Sequence, residues 1–156
     1  MAKYGVDGFG AWALKCNPET VWDLDSFIRG GNHHIEGWSV PSKGLSRHMK
    51  ENDPVVFWVS GRHASCPPGI WAVGKVTGLA HPGTPDQYWI EPGADFYIDV
   101  DLTVHHRIVP REVVKADPIL AESTLIKMPM AANPVMLSDV EWSAAQSLVA
   151  QAGGTP

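Results

Sequence analysis

The chain has 156 residues, 44% of them hydrophobic and 19% charged, with a formal net charge of −5. This is the composition of one globular domain with a real core; it excludes a disordered chain and argues against a chain-wide basic surface for the phosphate backbone, leaving open a local basic groove or a pocket for one base. Seven Trp, 13 Pro and 15 Gly point to short strands, many turns and aromatic loops.

Residues 1–10 are glycine-bearing and are expected to fray. Ala11-Trp12-Ala13-Leu14-Lys15, closed by Cys16-Asn17-Pro18, reads as a first strand and a turn. A helical stripe follows through Trp22, Leu24, Phe27 and Ile28, and stops at Gly30-Gly31. Residues 32–41 read as a polar loop carrying Trp38-Ser39, and residues 42–50 as a short amphipathic helix.

Residues 55–60 form an apolar strand, and residues 69–76 a second strand paired with it, whose two glycines suggest a bulge or close backbone approach. Residues 81–93 make a long Pro/Gly-rich loop with Tyr88 and Trp89. Residues 95–104 alternate apolar and polar, as a half-buried antiparallel strand does, and residues 105–109 continue it or turn. Residues 110–114 read as a helical turn, and residues 123–128 as helix or strand. Ser138-Asp139-Val140-Glu141 has the form of a capping box opening a last helix. Without parallel βαβ alternation, the expected class is α+β: a small, partly open, mixed or antiparallel β-barrel with peripheral helices. Residues 11–151 form the single domain, and residues 152–156 a flexible end.

Two cysteines outside any CxxC pair, and no signal-like start, point to a reducing, cytoplasmic setting; no apolar run is long enough for a membrane span. No phosphate loop, dinucleotide fingerprint, nucleophile elbow or zinc-protease motif occurs. His63-Ala64-Ser65-Cys66 has a metal-like spacing without a second pair, and adjacent histidines such as His33-His34 point to opposite strand faces. Cys16, at a strand end, reads as a small buried hydrophobe. No catalytic set, cofactor or metal is expected. Reading a base needs only aromatic faces and a few edge donors and acceptors. Lys15-Cys16-Asn17, Trp38-Ser39, Trp58, Ser60 and Trp89 supply such parts in loops or at strand ends.

At these residues the chain resembles the EVE domain, a member of the PUA-like superfamily related to YTH domains. Residues 12–18 are similar to the strand end of these domains, Gly37-Trp38-Ser39 to the Trp-Ser of the YTH pocket, and residues 45–50 to the helix after it. Phe57-Trp58-Val59-Ser60-Gly61 and residues 69–76 are similar to two EVE strands. Residues 125–130, ending in Met130, with Asn133-Pro134, resemble the segment before the last EVE helix. The likeness spans residues 12–148.

It implies a PUA-type barrel whose pocket accepts one flipped, modified base of DNA or RNA. Trp38 and Trp89 would be the stacking walls, and Asn17 and Ser39 the edge contacts. Lys15 would sit near the phosphate or the edge, with Cys16, Trp58, Ser60, Met130 and Asn133 around the pocket. Beyond the base, the implied partners are proteins of a restriction or RNA-modification system. Cys16, Val59 and the run from Trp38 to Lys43 depart from the usual EVE pattern and tilt the pocket toward a YTH-like arrangement. Two other readings stand beside the reader. One is an RNA- or nucleoside-processing enzyme using Lys15, Cys16 and a loop His. The other is a structural or interaction module whose Trp residues are core.

Overall fold

The computed structural model describes residues 8–104 and 107–153. The expectations for residues 1–7, 105–106 and 154–156 lie outside the described residues. In chain order the elements are β1 (Phe9–Cys16), α1 (Leu24–Arg29), β2 (His34–Ser39), a 3-10 turn (Gly44–His48), β3 (Pro54–Val59), β4 (Gly69–Val76), β5 (His81–Pro82) and β6 (Phe96–Thr103). Then come β7 (Val109–Pro110), α2 (Arg111–Ala116), a 3-10 turn (Leu120–Glu122), α3 (Thr124–Lys127), β8 (Val135–Ser138) and α4 (Asp139–Gln151). None of the described helices is long and apolar enough to cross a membrane.

The strands form one mixed sheet in the order β2-β6-β4-β3-β1-β8, with β5 on β6 and β7 on β4. The path is open between β2 and β8, so this is the partly open barrel of an α+β fold. β1 pairs with β3 in parallel, with Leu14 opposite Phe57, a pairing that the absence of βαβ alternation concealed. On its other side β1 pairs antiparallel with β8.

Central strands are buried on both faces, which is why they read as continuous apolar runs. Trp12, Leu14, Cys16, Val55, Phe57 and Val59 point into the barrel. Ala11, Ala13, Val56 and Trp58 point the other way, into a second core shared with Leu125, Leu137, Ala145 and Val149 of the helical layer and β8. The capping box forms as expected: Ser138 N donates to Glu141 Oε1 at 2.8 Å, and Glu141 N donates to Ser138 Oγ at 3.1 Å.

Four expectations change. β1 starts at Phe9, two residues inside the segment expected to fray. The helix at residues 42–50 is a 3-10 turn of five residues. α1 is only six residues long, because Val21 and Trp22 are taken up in contacts with a distant loop and Asp23 becomes the N-cap. Residues 34–39 are strand, not loop. They pair with β6, and a register shift between Ile35 and Gly37 breaks the two-residue alternation. Ile35 and Trp38, three apart, therefore both face the core.

Candidate nucleobase site

The bulge in β2 decides where Trp38 goes. Turned inward, its ring meets Phe57 of β3 at 5.0 Å between centroids and an interplanar angle of 84°, and Trp22, just before α1, at 5.1 Å and 73°. Trp89 closes over it at 4.8 Å and 52°. These edge-on and tilted contacts suit rings with negative faces and positive edges. Trp38 is 0% exposed, while Trp89 is half-buried. Among the described residues, one buried side-chain nitrogen lacks a hydrogen-bond partner, and it is Trp38 Nε1. Leaving such a donor unpaired costs about 1–3 kcal/mol.

Trp89 arrives on residues 83–95, a strap laid across the segment before α1. Trp22 Nε1 donates to Asp86 Oδ1 at 3.1 Å, Asp23 N to Tyr88 O at 2.8 Å, and Ile90 N to Val21 O at 2.9 Å. The two ends of the strap meet where Gly83 N donates to Asp95 O and the Tyr97 hydroxyl donates to Ala94 O. Beside Trp89 lies a cavity of about 430 Å³, walled by Trp22, Phe27, Trp89 and Tyr97 and edged by Glu36, Asp86 and Asp99.

Two histidines border this cavity. His34 Nε2 lies 2.6 Å from Asp101 Oδ1. His81 meets Asp99 Oδ1 at 2.7 Å through Nε2 and Pro82 O at 2.7 Å through Nδ1. Both of its partners only accept, so His81 satisfies them as the imidazolium. The Asp99 carboxylate first, and the Pro82 carbonyl second, hold its pKa above the ordinary value. Among the described residues, no group of three His, Cys, Asp or Glu side chains converges as metal ligands.

The residues singled out from the sequence separate into distinct places. Trp38 and Trp89 come together, though their rings touch each other and no base-wide gap lies between them. Cys16 is buried below Trp22, its Sγ donating to Trp22 O at 3.6 Å, and burial pushes its thiol well up, which disfavours the thiolate that a nucleophile needs. Asn17 shapes the turn after β1: its side-chain oxygen accepts from Glu19 N at 3.0 Å, and its backbone carbonyl accepts from Val21 N at 2.9 Å. Ser39 is half-buried at the end of β2, and Ser60 follows β3 with its N donating to Cys16 O at 2.8 Å.

Trp58 is not beside Trp38. It lies on the opposite face of β3 in the second core, because only alternate residues of that strand point into the barrel. Lys15, Met130 and Asn133 gather at the junction of β1 and β8. Lys15 Nζ donates to Pro129 O at 2.9 Å, and burial lowers its pKa. The Asn133 amide is committed to the Lys15 backbone, and Met130 is 94% exposed.

Sequence reasoning placed Trp22 on a helical stripe and passed over its role as the ring touching Trp38, Trp89, Phe27 and Tyr88 at once. Asp86, two and three residues before Tyr88 and Trp89, was the available signal: a carboxylate on an aromatic loop is a ready acceptor for an indole.

An EVE domain model matches residues 11–146, nearly the whole chain. The chain belongs to the EVE domain family. Solved structures share the fold at low identity. A Leishmania major protein superposes with a TM-score of 0.64 at 16% identity, covering 92% of this chain and 96% of its own. A Pseudomonas syringae protein gives 0.60 at 19%, covering 89% and 99%. Human THYN1, solved in complex with 5-methylcytosine-containing DNA, gives 0.58 at 16%, covering 88% and 96%. No curated protein matches the chain significantly. In this EVE domain the aromatic cluster sits where β2, the segment before α1 and the strap converge.

Proposed function

We propose that this EVE domain is a non-catalytic reader of one modified nucleobase, methylated or otherwise modified, in DNA or RNA. The observation that carries the reading is the position of Trp89. Its ring belongs both to the buried cluster, 4.8 Å from Trp38, and to the wall of the 430 Å³ cavity. A base held between two rings separates them by two contacts of about 3.5 Å each. The observed arrangement is therefore closed, and the cavity gives the Trp89 ring room to swing aside. A base then takes its place beside Trp38, with Trp89 gripping it from outside and Asn17 and Ser39 as edge contacts.

Further support is the THYN1 complex with 5-methylcytosine DNA, which shows what one member of the fold binds. The net charge of −5 fits an affinity drawn from the pocket and not from many phosphate contacts. Base–aromatic stacking supplies roughly 1–3 kcal/mol per base, enough for selective but weak binding by an isolated domain.

Calorimetric titration tests this with short single strands carrying 5-methylcytosine or N6-methyladenine beside their unmodified parents. The expected result is a preference for one modified strand that Trp89→Ala abolishes. Equal binding of modified and parent strands refutes the reader; a Trp89→Ala chain that keeps the preference refutes the pocket at Trp89.

A further inference from the structure

Three indole nitrogens of this protein find acceptors within the fold. Trp12 Nε1 donates to Asp53 Oδ2 at 2.9 Å, Trp71 Nε1 to Pro67 O at 2.8 Å, and Trp22 Nε1 to Asp86. Trp12 is as fully buried as Trp38. Trp38 alone among the described residues leaves a buried side-chain polar atom unpaired. The rings that touch it, Trp22, Phe57 and Trp89, carry no in-plane lone pair to offer it. An orphan of this kind in a native fold calls for an explanation.

We infer that the Trp38 N–H is a ligand donor: it pairs with a ring nitrogen or exocyclic carbonyl of the bound base. This rests on the reader assignment and adds to it. A stacking wall offers only its face and tolerates any flat ring, whereas an in-plane donor selects a ring with an acceptor at one edge. The N–H lies in the indole plane, so a base stacked flat on Trp38 presents no lone pair to it. A base that stacks on Trp89 and meets Trp38 at its N–H edge does. Cytosine-type rings carry such acceptors at N3 and O2, and a 5-methyl group leaves both free. Trp38 thus contributes to specificity through its nitrogen and not only to affinity through its surface.

The test uses the whole chain and a single-stranded oligonucleotide with one central 5-methylcytosine. In ¹⁵N-labelled protein the Trp38 indole proton resonance should move downfield on addition of this strand. Trp38→Phe keeps a ring and removes the N–H; it should weaken binding about tenfold. Trp12→Phe, the loss of an equally buried indole elsewhere in the barrel, should leave binding unchanged. Where Trp38→Phe lowers the folded fraction, the indole resonance of the parent chain decides alone. Binding by the parent with an unmoved Trp38 resonance overturns the donor role and leaves the reader standing. A parent chain that binds neither this strand nor its N6-methyladenine counterpart overturns both.

Discussion

Asn133 holds Lys15 by both ends of its amide: Oδ1 accepts from Lys15 N at 2.7 Å, and Nδ2 donates to Lys15 O at 3.1 Å. The β1–β8 ladder pairs Ala13 with Val135, so a further step along both strands brings Lys15 opposite Asn133. There the side chain does what a strand backbone would do. Asn133→Ala should cost about 1–3 kcal/mol, because two partly buried backbone groups lose their partners. Asn133→Asp should not rescue, since its second oxygen would face the Lys15 carbonyl. Urea unfolding midpoints of the two variants check this.

Trp12 and Trp38 are both fully buried, yet only Trp12 has an indole partner. Substituting Phe at Trp12 abandons the bond to Asp53; at Trp38 it removes an unpaired donor. Trp12→Phe should therefore be the more destabilising by roughly 1–3 kcal/mol. Equal losses in thermal or urea unfolding would mean that Trp38 Nε1 is satisfied in solution.

His81 ties β5 to β6 as an imidazolium, with its pKa raised by Asp99 and then by Pro82 O. A group whose pKa is raised on folding contributes stability that is complete below the unfolded value, about 6.5. That contribution is lost as pH rises through the higher folded value. Proton NMR should titrate His81 above 6.5, and Asp99→Asn should bring it back down. In His81→Gln the loss of stability across this window should disappear.

Gly74 faces the Asp101 carbonyl across the β4–β6 pairing, where an added Cβ would overlap backbone. Gly93 has φ +88° but open space around it. Gly74→Ala should force the strands apart at a cost of about 1–3 kcal/mol. Gly93→Ala should cost only about 1–2 kcal/mol, from its backbone angle alone. Thermal midpoints should rank them in that order.

Both cysteines are buried and free. Burial, then the nearby Asp25 and Asp23, push the Cys66 thiol up to about 11. Because the thiolate is the reactive form, a thiol reagent at neutral pH should label neither Cys16 nor Cys66 until the chain unfolds. Rapid labelling of the folded protein would contradict this placement.

Much of this architecture was legible in the pattern of residues. The strands around Val55–Val59 and Gly69–Val76 and the capping box at Ser138 are local signals, and each formed where expected. What stayed hidden was whatever depended on distant partners. β2 looked like a loop because its bulge replaces alternation by a three-residue step from Ile35 to Trp38. β8 is four residues long and follows an Asn-Pro pair, so it gave no periodic signal. Within an unbroken apolar run nothing marks which face is which, so Trp58 was expected at the pocket, whereas its neighbour Phe57 is the ring that meets Trp38. Only the register of β1 against β3 separates them.

The two neighbours of β1 are separated by most of the chain: β3 ends at Val59, and β8 begins only at Val135. As the polypeptide leaves the ribosome, β1 and β3 can pair long before β8 exists. One edge of an apolar strand, with Ala11 and Ala13 on its helix-facing side, then waits uncovered while some 75 further residues are made, which at about 5–20 residues per second is several seconds. An unpaired edge of that kind is a template for association with other nascent chains. The last strand and helix therefore act as the closing stitch of the sheet, and a ribosome that stalls before residue 135 releases a product with its seam open.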